Sequence, residues 1–458
     1  MPPVIRSSLD SDSLPVAVVG SGPVGLTAAA HLHARGLPFM VLEAGPEPAW
    51  GIAGWGHVRL FSPWRFLFDP VVRELLEAAG WEAPDGDELP TGNELRQRYL
   101  LPLARHPALA PHIRTGVRVE SIVRAGSAST GAASTAASST GAVRSGPEAR
   151  AAKPFEVRLD SIRAVHARAV LDASGTVGSP APLGTDGTPA PGEAQLGARA
   201  HTGIPVDPGA FLGLRTLVVG SGHTAMGAIL ALLREGVPTV AWGIRGADPY
   251  RYLGGGANDQ LPARGAIGTR VREAMEGGRV RVLAGLAIER FEVDPNEGPV
   301  QVIGRWDTGP PSHREDVAAG TDGPNPASAH RLEVDRVIAA TGYRPNPTLT
   351  AGLRLALDPV LEAPVELAPM IDPRKHSCGT VPRHGVSVLT HPDEPGYYTV
   401  GMKSYGRAPT FLMKTGYEQV RSVVARLAGD EEAATTIQME LPSTGVCRTD
   451  FVESEPCC

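Results

Sequence analysis

Apolar residues fall along this chain in short runs of four, each followed by a glycine cluster and then a longer helical stretch. The first such unit runs from Val16–Val19 through Gly20-Ser21-Gly22-Pro23-Val24-Gly25 into a helix ending near Arg35. Gly36 and Pro38 stop that helix, and Phe39–Leu42 forms a second apolar run. The second unit repeats the plan with Thr216–Val219, Gly220-Ser221-Gly222-His223-Thr224-Ala225, a helix to Arg234, Gly236 and Pro238, and Val240–Trp242. Unbroken apolar runs predict strands buried on both faces, and a glycine after an apolar-periodic stretch predicts a helix end. Each unit is therefore a βαβ unit. Each is answered downstream by a similar strand-and-turn phrase, Ala169–Gly175 for the first and Val337–Tyr343 for the second. A further helix is expected over Phe411–Leu427, with Pro409 suited to its first turn.

Two stretches break the pattern. Residues Ala125–Ala152 are almost pure Ala, Ser, Thr and Gly, and Thr308–Ala329 is rich in Pro, Gly and Asp. Such compositions bury too little surface to offset their ordering entropy, so both are expected as long surface loops between hairpin strands. Val117–Val123 and Phe155–Leu159 are the strands expected around the first. The expected fold is α/β: two Rossmann-like three-layer dinucleotide-binding domains, one inserted in the other. The outer domain is expected over 14–200 and 336–445, the inserted one over 201–335, and a flexible cysteine-containing tail over 446–458.

The glycine turns carry the chemistry. In the first, Gly20 permits the tight turn, Gly22 allows a pyrophosphate to approach the backbone, and Gly25 allows close packing of helix on strand. Ser21, Pro23 and Val24 complete the turn, and the helix N-terminus favours an anion. Glu43 ends the second strand, where a carboxylate accepts hydrogen bonds from ribose hydroxyls. The second turn keeps Gly220 and Gly222 and takes Ala225 as its third small residue, with Ser221, His223 and Thr224 alongside. Its second strand ends Gly243-Ile244-Arg245 without an acid. An acid there repels a 2′-phosphate and an arginine binds one, which points to NADPH over NADH.

Two such fingerprints, closed by Asp172-Ala-Ser-Gly175 and Ala339-Ala-Thr-Gly-Tyr343, resemble the two-dinucleotide-domain flavoproteins. Within that group the chain is similar to flavin-containing monooxygenases and their class B relatives. Their marker, FxGxxxHxxx followed by Trp or Pro, precedes the second turn. Here the segment Gln195–Pro205 keeps Gly197, His201 and Pro205 in register but has Gln195 where the family has Phe. The resemblance implies FAD on the first turn, NADPH on the second, and His201 at the domain junction helping to position NADP. It implies further cofactor contacts at Trp64, Val119, Ser174, Gly175, Thr341, Gly342 and Lys403. The segment Trp50–Trp64 holds three Trp, Phe61, His57 and Arg59, flat surfaces and donors suited to a ring system. Arg59 is the expected contact to flavin or NADP phosphate. The implied reaction uses O2 to oxygenate a small nitrogen- or sulfur-containing, or carbonyl, substrate through a flavin C4a-(hydro)peroxide.

Composition narrows the field. The 458 residues carry a formal charge of -6, which argues against nucleic acid or an anionic membrane as the main partner. No apolar run is long enough to cross a bilayer and the N-terminus is polar, so a cytoplasmic address is expected. The resemblance adds a homodimer as a common state. No residue pattern marks a metal site. The only cysteines are Cys378, Cys447, Cys457 and Cys458. A thiol reductase of the pyridine-nucleotide type needs a cysteine pair against the flavin, and neither expected region supplies one. The alternative function is an NADPH-dependent flavin reductase, or a thiol or metalloid oxidoreductase, working through the C-terminal cysteines Cys447, Cys457 and Cys458.

Overall fold

The computed structural model describes residues 13–126, 146–160, 162–259, 261–294, 298–307, 329–376 and 380–439. All four cysteines, and the cores of both low-complexity stretches, lie outside these residues. Along the chain, β1 (Val16–Val19), α1 (Pro23–Ala34) and β2 (Phe39–Leu42) form the first βαβ unit, followed by α2 (Pro70–Ala78) and β3 (Ile113–Arg114). Next come β4 (Ser121–Arg124), a short helix α3 (Pro147–Ala151), β5 (Phe155–Arg158), β6 (Ala164–Ala167) and β7 (Ala169–Asp172). The second unit contributes β8 (Ala200–Thr202), β9 (Thr216–Val219), α4 (His223–Glu235), β10 (Val240–Gly243), α5 (Pro262–Glu276) and β11 (Val280–Val293). It ends with β12 (Val300–Asp307), β13 (His330–Val334) and β14 (Arg336–Ala339). Strand β15 (Tyr397–Thr399) and helix α6 (Met413–Leu427) belong to the first unit again.

The first unit is built on a parallel five-stranded sheet in the order β15-β7-β1-β2-β3. Strand β1 is buried at all four positions, and its alternation sorts two cores. Val16 and Val18 pack with Leu26, Ala29 and Leu32 of α1 and with Val420 and Val424 of α6. Ala17 and Val19 pack with Ile122, Phe155 and Val157 of the antiparallel sheet β4-β5-β6. The result is three layers, helices, parallel sheet and small antiparallel sheet, with α1 buried along most of its length.

The second unit repeats the logic. Its seven-stranded sheet runs β13-β12-β11-β10-β9-β14-β8, where the long β11 pairs in parallel with β10 and antiparallel with β12. Val218 of β9 packs with α4 and α5, whereas Leu217 and Val219 face the β11–β13 side.

The chain divides at 179/180 and 343/344, not at the expected 200/201 and 335/336. The reason is strand pairing. β8 adds in parallel to β14, and β14 itself is a strand of the second sheet beside β9. Leu183, Ala190 and Leu196 are buried in that unit's core with Phe291. Two local expectations also shift. Residues Pro147–Ala151, read as loop, form α3, and α6 begins at Met413, four residues past Pro409. Phe411 packs edge-on to Tyr405 at 5.2 Å, ahead of an extended Leu412.

The end of β4 is fixed by a buried charge cluster. Arg124 Nε donates to Glu394 at 3.0 Å, Arg150 of α3 donates to the other oxygen, and the Arg124 guanidinium lies 3.6 Å from the centre of the Phe155 ring. All three charged side chains are buried. Removing one member would leave an uncompensated buried charge.

Candidate dinucleotide sites

In the first turn, the three glycines do different work. Gly20 has φ +96° and a Cβ there would meet the Ala173 carbonyl oxygen at 2.7 Å. A Cβ on residue 25 would stand 2.0 Å from the Gly20 oxygen. A Cβ on Gly22 would meet nothing within 4 Å, so this glycine faces open space at the N-terminus of α1. No side chain caps that helix. An uncapped helix N-terminus opening onto free space beside backbone is a cradle for a diphosphate. Glu43, half-buried, accepts Ser21 N–H at 2.9 Å and Ser21 Oγ–H at 2.6 Å on one oxygen and Gly45 N–H at 2.7 Å on the other. Its carboxylate is thereby fixed beside the turn. Val119 lies on the irregular segment after β3, partly buried against the β4–β5 core.

A second cluster closes this crevice at the carboxyl ends of the strands. Asp172, fully buried, sits between Val19 and Thr399 in the parallel register. One oxygen accepts Ser174 N–H (3.2 Å) and Oγ–H (2.6 Å), and the other accepts Lys403 Nζ (2.6 Å) and Tyr397 O–H (2.8 Å). Burial alone would raise the Asp172 pKa; the Lys403 charge and these bonds outweigh it and hold the carboxyl below its usual range. Tyr397 is pushed the other way, first by burial and then by the Asp172 charge. Gly175, with φ +68°, turns the chain away just beyond.

The aromatic segment divides. Trp64, expected at the cofactor, is 1% exposed and stacks on Phe68 at 5.6 Å in a core cluster with Trp81 and Tyr99. Trp50 is 46% exposed. Arg59 is exposed; its guanidinium donates to the Leu89 carbonyl and lies 3.8 Å from Glu94. Among the described residues no hydrogen bond, ion pair or ring contact joins Arg59 or Trp64 to the glycine turn, although Trp64 shares the core cluster that contains Val24.

The second turn has the same plan with different fittings. A Cβ on Gly220 (φ +135°) would lie 2.1 Å from the Ala340 oxygen, and Gly222 again faces open space with no side chain capping α4. The Gly220 carbonyl accepts the indole N–H of Trp242 at 2.7 Å, and Ala225 is fully buried. His223 opens α4, and its pKa is lowered, chiefly by burial and then by the Arg264 charge, against the pull of Asp259. Arg264 itself grips Asp259 through Nε and Nη2 at 2.7–3.0 Å, both buried. Ser221 is half-buried, while Thr224 and Arg245 are exposed. Thr341 Oγ donates to the Ala181 carbonyl at 2.6 Å, and Gly342 has φ +88°. His201 sits on β8 opposite Ile338, with Phe211 edge-on at 6.1 Å.

Sequence reasoning passed over Asp172, Tyr397 and Trp242. Asp172 had a signal: a carboxylate ending an apolar run buried on both faces needs partners. Trp242 read only as a strand apolar residue.

Residues 18–59 match the model of the NAD(P)-binding Rossmann-like domain. No curated protein matches the chain by sequence. Among solved structures, the bacillithiol disulfide reductase of Bacillus cereus is 16% identical with a TM-score of 0.61, covering 91% of this chain and 99% of that one. A flavin-containing monooxygenase from Stenotrophomonas maltophilia is 21% identical with a TM-score of 0.53 over the same shares. The thioredoxin reductase of Lactococcus lactis is 16% identical with a TM-score of 0.52, over 92% and 98%. The chain therefore has the α/β fold of the two-dinucleotide-binding-domain flavoproteins. The match to the NAD(P)-binding Rossmann-like domain falls on the first of two open glycine turns of the same construction. No helix among the described residues is long and apolar enough to cross a membrane, and those residues hold no group of three or more His, Cys, Asp or Glu suited to a metal ion.

Proposed function

We propose that the protein is an FAD-dependent, NADPH-using oxidoreductase of the monooxygenase type, acting on a small nitrogen- or sulfur-containing, or carbonyl, substrate with O2. FAD belongs to the first turn and NADPH to the second. The observation that carries this assignment is the paired cradle: Gly22 and Gly222 both face open space at uncapped helix N-termini, but only the first has a fixed acid at its strand tip. Glu43 suits ribose hydroxyls. At the tip of β10, Ile244-Arg245 leaves no carboxylate to repel a 2′-phosphate and an exposed guanidinium to bind one.

When bound, FAD and NADPH supply the two-electron chemistry, and the protein supplies binding, orientation and electrostatics. Gly20 and Gly25 set the turn, α1 offers its free N–H groups to the diphosphate, and Glu43 fixes the adenosine end. Monooxygenation is preferred to thiol reduction because the first 377 residues contain no cysteine, so no cysteine pair accompanies either glycine turn in the stretches where a thiol reductase of this type carries one.

The test is to reduce the purified protein anaerobically with NADPH, mix it with O2 and record the flavin spectrum. An absorbing species distinct from both reduced and oxidised flavin, present before oxidised flavin returns, is the expected result. Direct return of oxidised flavin, together with loss of activity on truncation after Leu441, would replace this reading with a thiol reductase.

A further inference from the structure

Lys403 is a buried ammonium with one proton unaccounted for. Its side chain is 6% exposed, and its Nζ donates to Asp172 at 2.6 Å and to Ser174 Oγ at 3.1 Å. An ammonium has three N–H donors. Among the described residues no third acceptor meets it. Asp172, by contrast, is saturated, taking four donors on its two oxygens. Burying both charges costs several kcal/mol per ion unless every donor and acceptor is satisfied, so the shortfall sits on the lysine alone.

Its position says what the missing acceptor is. Ser174, its neutral partner, follows the residue that touches Gly20: a Cβ on Gly20 would lie 3.0 Å from Ser174 Cα. On the other side, Gly401, two residues before Lys403, has φ +69° and lies against Val24 in the first turn of α1, 3.1 Å from where its Cβ would stand. The Gly401 N–H is held by Gln419 Oε1 of α6 at 2.8 Å, and Gln419 also donates to Ser404 at 2.9 Å. The loop 401–405 and the turn after β7 thus bracket the Gly20–Gly25 turn, and both are anchored from behind.

We propose that Lys403 donates its third N–H to the diphosphate of the dinucleotide bound at this turn, and that Asp172, Ser174 and Tyr397 are positioning residues that hold the ammonium in place before the cofactor arrives. The proposal rests on the reading of the first turn as the FAD site. It assigns to this chain a fixed cation in addition to the helix N-terminus, so affinity for FAD becomes partly ionic.

The competing account is that Lys403 merely neutralises Asp172. The deflavinated full-length protein separates the two. Lys403→Met alone leaves Asp172 buried without its cation, which destabilises the fold whatever binds there, so the double variant Asp172→Asn/Lys403→Met, which removes both charges, is measured with it. A charge-assisted hydrogen bond of this kind corresponds to roughly ten- to hundredfold in affinity. The expected result is that the double variant melts close to the wild type without FAD yet binds FAD at least about tenfold more weakly, with a Kd that rises less with salt. Lys403→Arg should recover part of the affinity. A double variant that binds FAD as tightly as the wild type, with the same salt dependence, overturns the proposal and leaves the FAD assignment intact. Wild-type protein that fails to bind FAD at all overturns both.

Discussion

The two glycine turns share a plan but differ at their third small residue, and the difference is steric. In the first, the Gly20 oxygen occupies the place a Cβ on residue 25 would need, at 2.0 Å. In the second, the corresponding oxygen of Gly220 is engaged by the Trp242 indole at 2.7 Å, and Ala225 fits, fully buried. The third position of the fingerprint is therefore set by where the first glycine's carbonyl points. The strand tips differ in chemistry: a fixed Glu43 against Ile244-Arg245.

The largest test of this contrast is Gly25→Ala. The turn must open to admit the methyl, at a cost of about 3 kcal/mol or more, and bound flavin should be lost. Ala225→Gly should cost only about 1 kcal/mol, the ordinary helix penalty of glycine. Equal effects on melting temperature and cofactor content at both sites would erase the steric distinction.

Acid should act strongly on the first unit, whose His384 and His391 are both buried. Burial lowers both pKa values, that of His391 to about 4, and the Ala356 N–H donates to His391 Nδ1. These rings fold neutral but become charged more readily when unfolded. Their contribution is thus fully present above the unfolded value near 6.5 and is lost as pH falls towards 4. For His391 alone the loss approaches about 3 kcal/mol. Chemical denaturation between pH 7.5 and 4.5 checks this; a His391→Asn variant should show a flatter profile, and an identical slope would count against the assignment.

At the strand tips, Arg245→Ala should raise the KM for NADPH about tenfold or more while leaving that for NADH unchanged. Parallel changes for both nucleotides would remove Arg245 from the 2′-phosphate. The smallest effect is expected at Trp242→Phe, which removes one buried donor and should cost about 1 kcal/mol. It should weaken NADPH binding and spare flavin content; a fall in bound flavin would contradict the separation of the two turns.

Much of this frame was legible in the sequence. Unbroken runs such as Val16–Val19 have only one comfortable place in an α/β fold, buried on both faces, and the glycine spacings declare their turns. The unit boundaries were less legible because Ala200–Thr202 and Arg336–Ala339 reveal their sheet only through pairing, which a linear reading does not contain. Trp64 illustrates a further limit. A dense aromatic segment suits a ring-binding wall and a hydrophobic core equally, and only Phe68, Trp81 and Tyr99, from elsewhere in the chain, decide its surroundings. Lys403 was legible as a candidate, but its partner Asp172 lies 231 positions away in sequence.

The central claim is that one turn holds FAD and the other delivers hydride from NADPH. Anaerobic titration of the purified protein with NADPH, followed by flavin absorbance, tests it most directly. The account predicts about one FAD per chain, bleached by about one equivalent of NADPH and much less readily by NADH. Protein that carries no flavin, or whose flavin NADPH leaves oxidised, would contradict it.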